Sequence, residues 1–95
     1  MAKSELEPGT GKTVEIDGHK IAIFNVNNEF RAIDDVCIHR GGPLGEGALN
    51  GNEVSCPWHG WQFDVITGKA FHNPSLKVKT YEVKVENNEV LVSLP

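Results

Sequence analysis

Cys37-Ile38-His39 and Cys56-Pro57-Trp58-His59 are the stretch and its echo on which the reading of this chain turns. The first is C-x-H and the second C-x-x-H, with sixteen residues, Arg40 to Ser55, between them. Two thiolates and two imidazoles result, and the chain contains no other cysteine. Such a mixed sulfur and nitrogen set suits one tetrahedral zinc ion or a two-iron cluster with mixed ligation. Ligands this close in sequence reach one site only if the backbone turns back between them. Gly41 and Gly42 after the first pair, and Pro57 and Gly60 around the second, permit those turns.

Working outward, the ligands sit in a segment unlike its flanks. Residues 34–52 hold glycines 41, 42, 45, 47 and 51 and Pro43, without a sustained period of two or 3.6. A stretch of this kind inside a small domain is a functional loop. Ahead of it, residues 1–12 are polar and read as loop through Pro8-Gly9-Thr10-Gly11. Thr13 to Ile16, Lys20 to Val26 and Glu29 to Ile33 read as strands joined by Asp17-Gly18 and Asn27-Asn28 turns. The second of these is apolar on both faces, as a buried strand is. After the loop, short strands are expected at Glu53-Val54-Ser55 and Trp61 to Asp64, with a turn at Thr67-Gly68 and a loop over residues 71–75. Tyr81, Val83 and Val85 form one inward row, and Val90, Val92 and Leu94 form another beyond Asn87-Asn88. No helix and no repeat is visible. The fold class is all-β: a strand scaffold from both chain ends, carrying a loop-built insert at about residues 36–61.

Length and charge narrow the function classes. Ninety-five residues give one domain, 1–95, with a limited core, so a bound metal group would be a useful staple. A net charge of −4 with no basic stripe argues against nucleic acid. The first residues have no apolar run of signal-peptide length, and nothing later approaches a membrane span. Two cysteines, each in a ligand-like spacing, suggest a reducing compartment, so the expected address is cytoplasmic.

The run Cys37-Ile38-His39-Arg40-Gly41, with Cys56-Pro57-Trp58-His59-Gly60-Trp61-Gln62-Phe63-Asp64, resembles the two-box signature of Rieske [2Fe–2S] proteins. With the flanking strands and the closing hairpin, the likeness extends over nearly the whole chain. It implies a Rieske fold, an antiparallel sandwich or barrel-like scaffold with a small cluster-binding subdomain. It also implies one [2Fe–2S] cluster, Cys37 and Cys56 holding the inner iron and His39 and His59 the outer. Two thiolates, two sulfides and two ferric ions sum to neutral, so reduction is easier than with four thiolates; such centres span about −150 to +300 mV.

The resemblance places this chain at the low end. Respiratory members add a disulfide clamp where this sequence has Gly42 and Trp58, and hydroxyl donors where it has Trp61 and Phe63. The pattern matches soluble, disulfide-less Rieske-type ferredoxins serving bacterial oxygenases, electron carriers rather than enzymes. The partners so implied are a flavin- or NAD(P)H-dependent reductase and a terminal oxygenase. The free chain would be a monomer docking through an apolar rim such as Pro43, Leu44 and Pro74. Two alternatives remain: a Rieske-like small subunit of an assimilatory nitrite reductase, and a zinc-stabilised interaction module.

Other residues have simpler readings. Trp58 and Trp61 shield the inner iron or pack a small core. Arg40 is a cation easing reduction or a solvated charge. His72, ahead of Asn73-Pro74, reads as surface loop near the cluster, and His19 as an exposed turn residue. Asp34, Asp35 and Asp64 lack a facing base or nucleophile and read as turn caps and loop hydrogen-bonders.

Overall fold

The computed structural model describes residues 2–38, 41–58 and 60–93. Among these, the strands in chain order begin with β1 (Thr10–Ile16), β2 (His19–Val26), β3 (Glu29–Asp34) and β4 (Ala48–Asn50). They continue with β5 (Glu53–Ser55), β6 (Gln62–Asp64), β7 (Thr80–Tyr81), β8 (Val83–Glu86) and β9 (Glu89–Val92). The helical elements are two short 3₁₀ turns, Lys3–Glu5 and Leu44–Glu46. No described helix is long and apolar enough to cross a membrane. The fold is all-β.

Turn chemistry sets where the chain reverses. Asp17-Gly18, Asn27-Asn28 and Asn87-Asn88 join β1 to β2, β2 to β3 and β8 to β9, and all six residues have positive φ, between 48° and 82°. A two-residue hairpin matches the twist of its strands in that conformation, which Asn, Asp and Gly adopt most readily. The strands assemble as a four-stranded sheet in the order β1-β2-β3-β7, a three-stranded sheet β4-β5-β6, and the β8-β9 hairpin. Every strand pairing among the described residues is antiparallel.

The first sheet is the middle layer. Ala22, Phe24 and Ile33 face one core with Cys37, Leu44, Val54, Cys56, Phe63 and Val65. Ile21, Ile23, Phe30 and Ala32, on the opposite face, pack with Leu6 and Val90. This is why β2 is apolar at successive positions: its alternation feeds two cores rather than one core and solvent. The first core is continuous with the two ligand cysteines, so the sheet positions the site.

Three local expectations need correction. β1 begins at Thr10, not Thr13, because Thr10 to Lys12 pair with Asn25 to Ile23 across the sheet. β4 is a strand within the expected loop, paired through Ala48 with Ser55. Val85 is 42 % exposed, while Val83 packs on the second core. Leu94 lies outside the described residues.

Tyr81 ties the last strands to the first sheet. Its hydroxyl donates to Asp34 Oδ1 at 2.5 Å, across 47 residues of sequence. Burial, with the Asp34 hydrogen bond and charge, pushes the Tyr81 phenol up to about 12. An unfolded tyrosine titrates near 10, so above that pH the unfolded chain sheds the proton that the fold retains. The resulting stabilisation is complete below about pH 10 and is lost as pH rises through about 12. Urea midpoints measured from pH 8 to 12 should therefore fall more steeply for the wild type than for Tyr81→Phe. Parallel curves would contradict the assignment.

Candidate metal centre

The two ligand stretches fold into the same loop twice. In the first, the Cys37 N–H donates to the Gly42 carbonyl at 2.9 Å, and the Gly41 N–H donates to the Cys37 carbonyl at 2.7 Å. In the second, the Cys56 N–H donates to the Trp61 carbonyl at 2.7 Å, and the Gly60 N–H donates to the Cys56 carbonyl at 3.2 Å. Each closing glycine stands four residues after its cysteine, with φ of 76° and 73°. That is the left-handed region, where glycine carries no side-chain penalty. A bridge between Val36 and Pro43 closes the neck of the first loop. The second loop is the connection from β5 to β6.

The loops meet through small atoms. A Cβ on Gly42 would lie 2.7 Å from Cys56 Sγ, 3.0 Å from Trp58 Cγ and 3.1 Å from Trp58 Cβ. Positions 42 and 58, where respiratory Rieske proteins resembling this chain carry their clamp, thus face one another here as glycine and indole. The hydroxyl-free Phe63 is fully buried beneath them.

Cys37 and Cys56 are 1 % and 3 % exposed, and both are free thiols. Burial pushes the Cys56 thiol up, a hydrogen bond from the Trp58 backbone pulls it down, and the hydrogen bond and charge of Cys37 raise it again. Two dry sulfurs in contact resist ionising together unless a cation neutralises them, which is the chemistry of a metal site. A buried cysteine pair of this kind, with the Trp58 backbone N–H donating to the Cys56 sulfur, fits an iron–sulfur cluster. His39, His59 and Arg40 lie outside the described residues.

The neighbouring residues divide. Trp61 packs on the first core, but Trp58 is 50 % exposed, so core packing accounts for only one of the two indoles. His72 is exposed, and its ring lies 4.2 Å from that of Trp61 in an edge-on arrangement of 65°. His19 is exposed at the start of β2. Leu44 is fully buried, which removes it from the expected docking rim. Its 3₁₀ turn points the side chain between the two sheets. Pro74 of that rim is exposed, and large apolar side chains that reach the surface beside the loops are Val36, Ile38 and Trp58, each close to half exposed. Sequence reading missed Val36 and Ile38, whose flanking of Cys37 was the available signal. Asp64 Oδ1 accepts the Ile66 N–H at 2.8 Å, a turn contact of the kind expected.

Comparison with known proteins decides the family. The model of the Rieske [2Fe–2S] domain matches residues 1–82. The chain belongs to the Rieske [2Fe–2S] domain family. This Rieske chain is 38 % identical over 95 residues to the ferredoxin component of a naphthalene 1,2-dioxygenase system from Pseudomonas putida, covering 99 % of this chain and 91 % of that one. It is also similar to the ferredoxin of carbazole 1,9a-dioxygenase from Nocardioides aromaticivorans IC177. There the TM-score is 0.91 at 29 % identity, over 98 % of this chain and 92 % of that one. A chain in a complex of reduced oxygenase and oxidized ferredoxin in carbazole 1,9a-dioxygenase gives 0.89 at 35 % identity, over 97 % and 96 %. The cofactor of this Rieske chain is one [2Fe–2S] cluster, and its role is that of an electron carrier rather than an enzyme. The zinc-module alternative gives way to that assignment.

Proposed function

We propose that this Rieske protein is a free one-electron carrier, held to its cluster by Cys37, His39, Cys56 and His59. It accepts an electron from a flavin- or NAD(P)H-dependent reductase and passes it to a terminal oxygenase. The observation that carries this reading is the paired loop: two buried sulfurs, with the half-exposed apolar side chains of Val36, Ile38 and Trp58 beside them in the same two loops. When bound, the cluster supplies reversible one-electron chemistry at an easily reached potential. The protein binds and orients it, keeps water from the sulfur side, and presents an apolar surface to a partner. Near-full-length likeness to ferredoxin components of dioxygenase systems supports delivery to an oxygenase.

The reading includes one domain over residues 1–95, with the cluster-binding part at about 36–61. It also includes a cytoplasmic address and a monomeric free state. The test uses purified holoprotein with NADH and the reductase and terminal oxygenase of a naphthalene dioxygenase system as heterologous partners. Bleaching on reduction, followed by recovery of colour when oxygenase is added, is the expected result. No reduction by any such reductase, with obligate co-purification beside a large sirohaem subunit, would instead support the nitrite reductase alternative.

A further inference from the structure

Asp35 is a buried carboxylate that electron transfer does not require, and its position is unusual. It is 2 % exposed, and none of the salt bridges among the described residues involves it. Its Oδ1 accepts the Thr13 hydroxyl from β1 at 2.7 Å and the Gly45 N–H at 2.7 Å. Its backbone carbonyl accepts the Leu44 N–H at 2.7 Å, and its own N–H donates to the Lys20 carbonyl of β2 at 3.1 Å. One residue therefore joins the middle sheet to both ends of the first ligand loop. Asp35 enters that loop two residues before Cys37, and Leu44-Gly45 leave it directly after the Val36–Pro43 bridge.

We infer that Asp35 is a positioning residue for the first ligand loop, fixing Cys37 by holding the loop's entry and exit together on β1. A buried carboxylate is expensive to keep unless its hydrogen bonds are made, and here both fall on the loop and the strand beneath it. The second ligand loop is instead carried directly between the paired β5 and β6. The inference rests on the Rieske reading of the site. It goes beyond that reading by assigning the geometry of one half of the site to a residue that touches no metal.

The test compares Asp35→Ala, Asp35→Asn and Thr13→Val with the wild-type holoprotein. Val90→Ala, in the other core, serves as a control for general loss of stability. Iron per chain, the paramagnetic resonance spectrum of the reduced form and the midpoint potential are measured at one pH. Asp35→Ala should load less iron, and its loaded fraction should show broadened, shifted resonances and a displaced potential. Thr13→Val should show the same spectral change to a smaller extent. Asp35→Asn retains an oxygen acceptor at Oδ1, so it should restore the wild-type line shape. If Asp35→Ala loads no iron at all, the contrast between Thr13→Val and Asp35→Asn carries the same test. Wild-type spectra in all loaded variants, an Asn variant that behaves like the Ala variant, or equal changes in Val90→Ala would overturn the inference. A wild type without any cluster signal would instead sink the Rieske reading itself.

Discussion

Alanine at position 45 is expected to remove a large part of the stability of this fold. Gly45 lies flat on β1: a Cβ there would be 2.5 Å from Thr13 Oγ1, 2.6 Å from the Thr13 nitrogen and 2.8 Å from the Lys12 carbonyl carbon. Two of those atoms are strand backbone and cannot step aside. Overpacking of this kind costs about 1–3 kcal/mol. Moving Gly45 also breaks its bond to the Asp35 carboxylate, worth roughly 1.5–3 kcal/mol for a charged acceptor. Together these approach the total stability of a small domain, about 5 kcal/mol at the low end of the usual range. Thermal unfolding should shift down by roughly 10 °C or more, at 4–8 °C per kcal/mol. Gly51→Ala is the control, since φ there is 64° but nothing lies within 4 Å. It should lose only the left-handed penalty, about 1–2 kcal/mol. Equal losses in the two variants would show that the close approach on β1 is not what matters.

The second large effect is chemical. Cys56→Ala should give a colourless protein with almost no bound iron and no paramagnetic signal on reduction. Cys56 is the sulfur that Gly42 and Trp58 are packed against, and the Trp58 backbone donates to it. Alanine leaves Cys37 as the one thiol in the chain, too few to hold the sulfur-ligated iron. Stability should fall as well, because a group bound only by the folded form contributes folding free energy. His72→Ala, whose ring leans on Trp61 from an exposed loop, should keep full iron content and colour. Retention of iron and signal by Cys56→Ala would end the proposed ligand set. Loss of iron from His72→Ala would require a larger role for that histidine.

These two effects differ in how visible they were beforehand. The cysteines were legible because ligand spacing is a covalent property: C-x-H and C-x-x-H stand in the chain whatever it packs against. The hairpins were legible for the same reason, since Asp17-Gly18, Asn27-Asn28 and Asn87-Asn88 satisfy a backbone need confined to two residues. The apolar doublets of β2 likewise announced a strand covered on both sides.

What lies across a residue is a different kind of fact. Leu44 sits among glycines and a proline, yet it is fully buried because β1 and β2 pass beneath its turn. Val85 continues a clean alternation, yet it remains 42 % exposed while Val90, its partner across the hairpin, is buried in the second core. β4 is three residues long, too short for a period, and exists because β5 pairs with it. Asp35 looked like one of several turn acids, and only the return of Gly45 onto Thr13 makes it the clasp of the first loop. The sequence alone therefore determined the ligand spacing, the reversals and the strand-rich class, which depend on neighbours along the chain. The tertiary structure decided which loop residues are core, which strand ends are bare and which carboxylate holds the site, because burial and hydrogen bonding depend on neighbours in space.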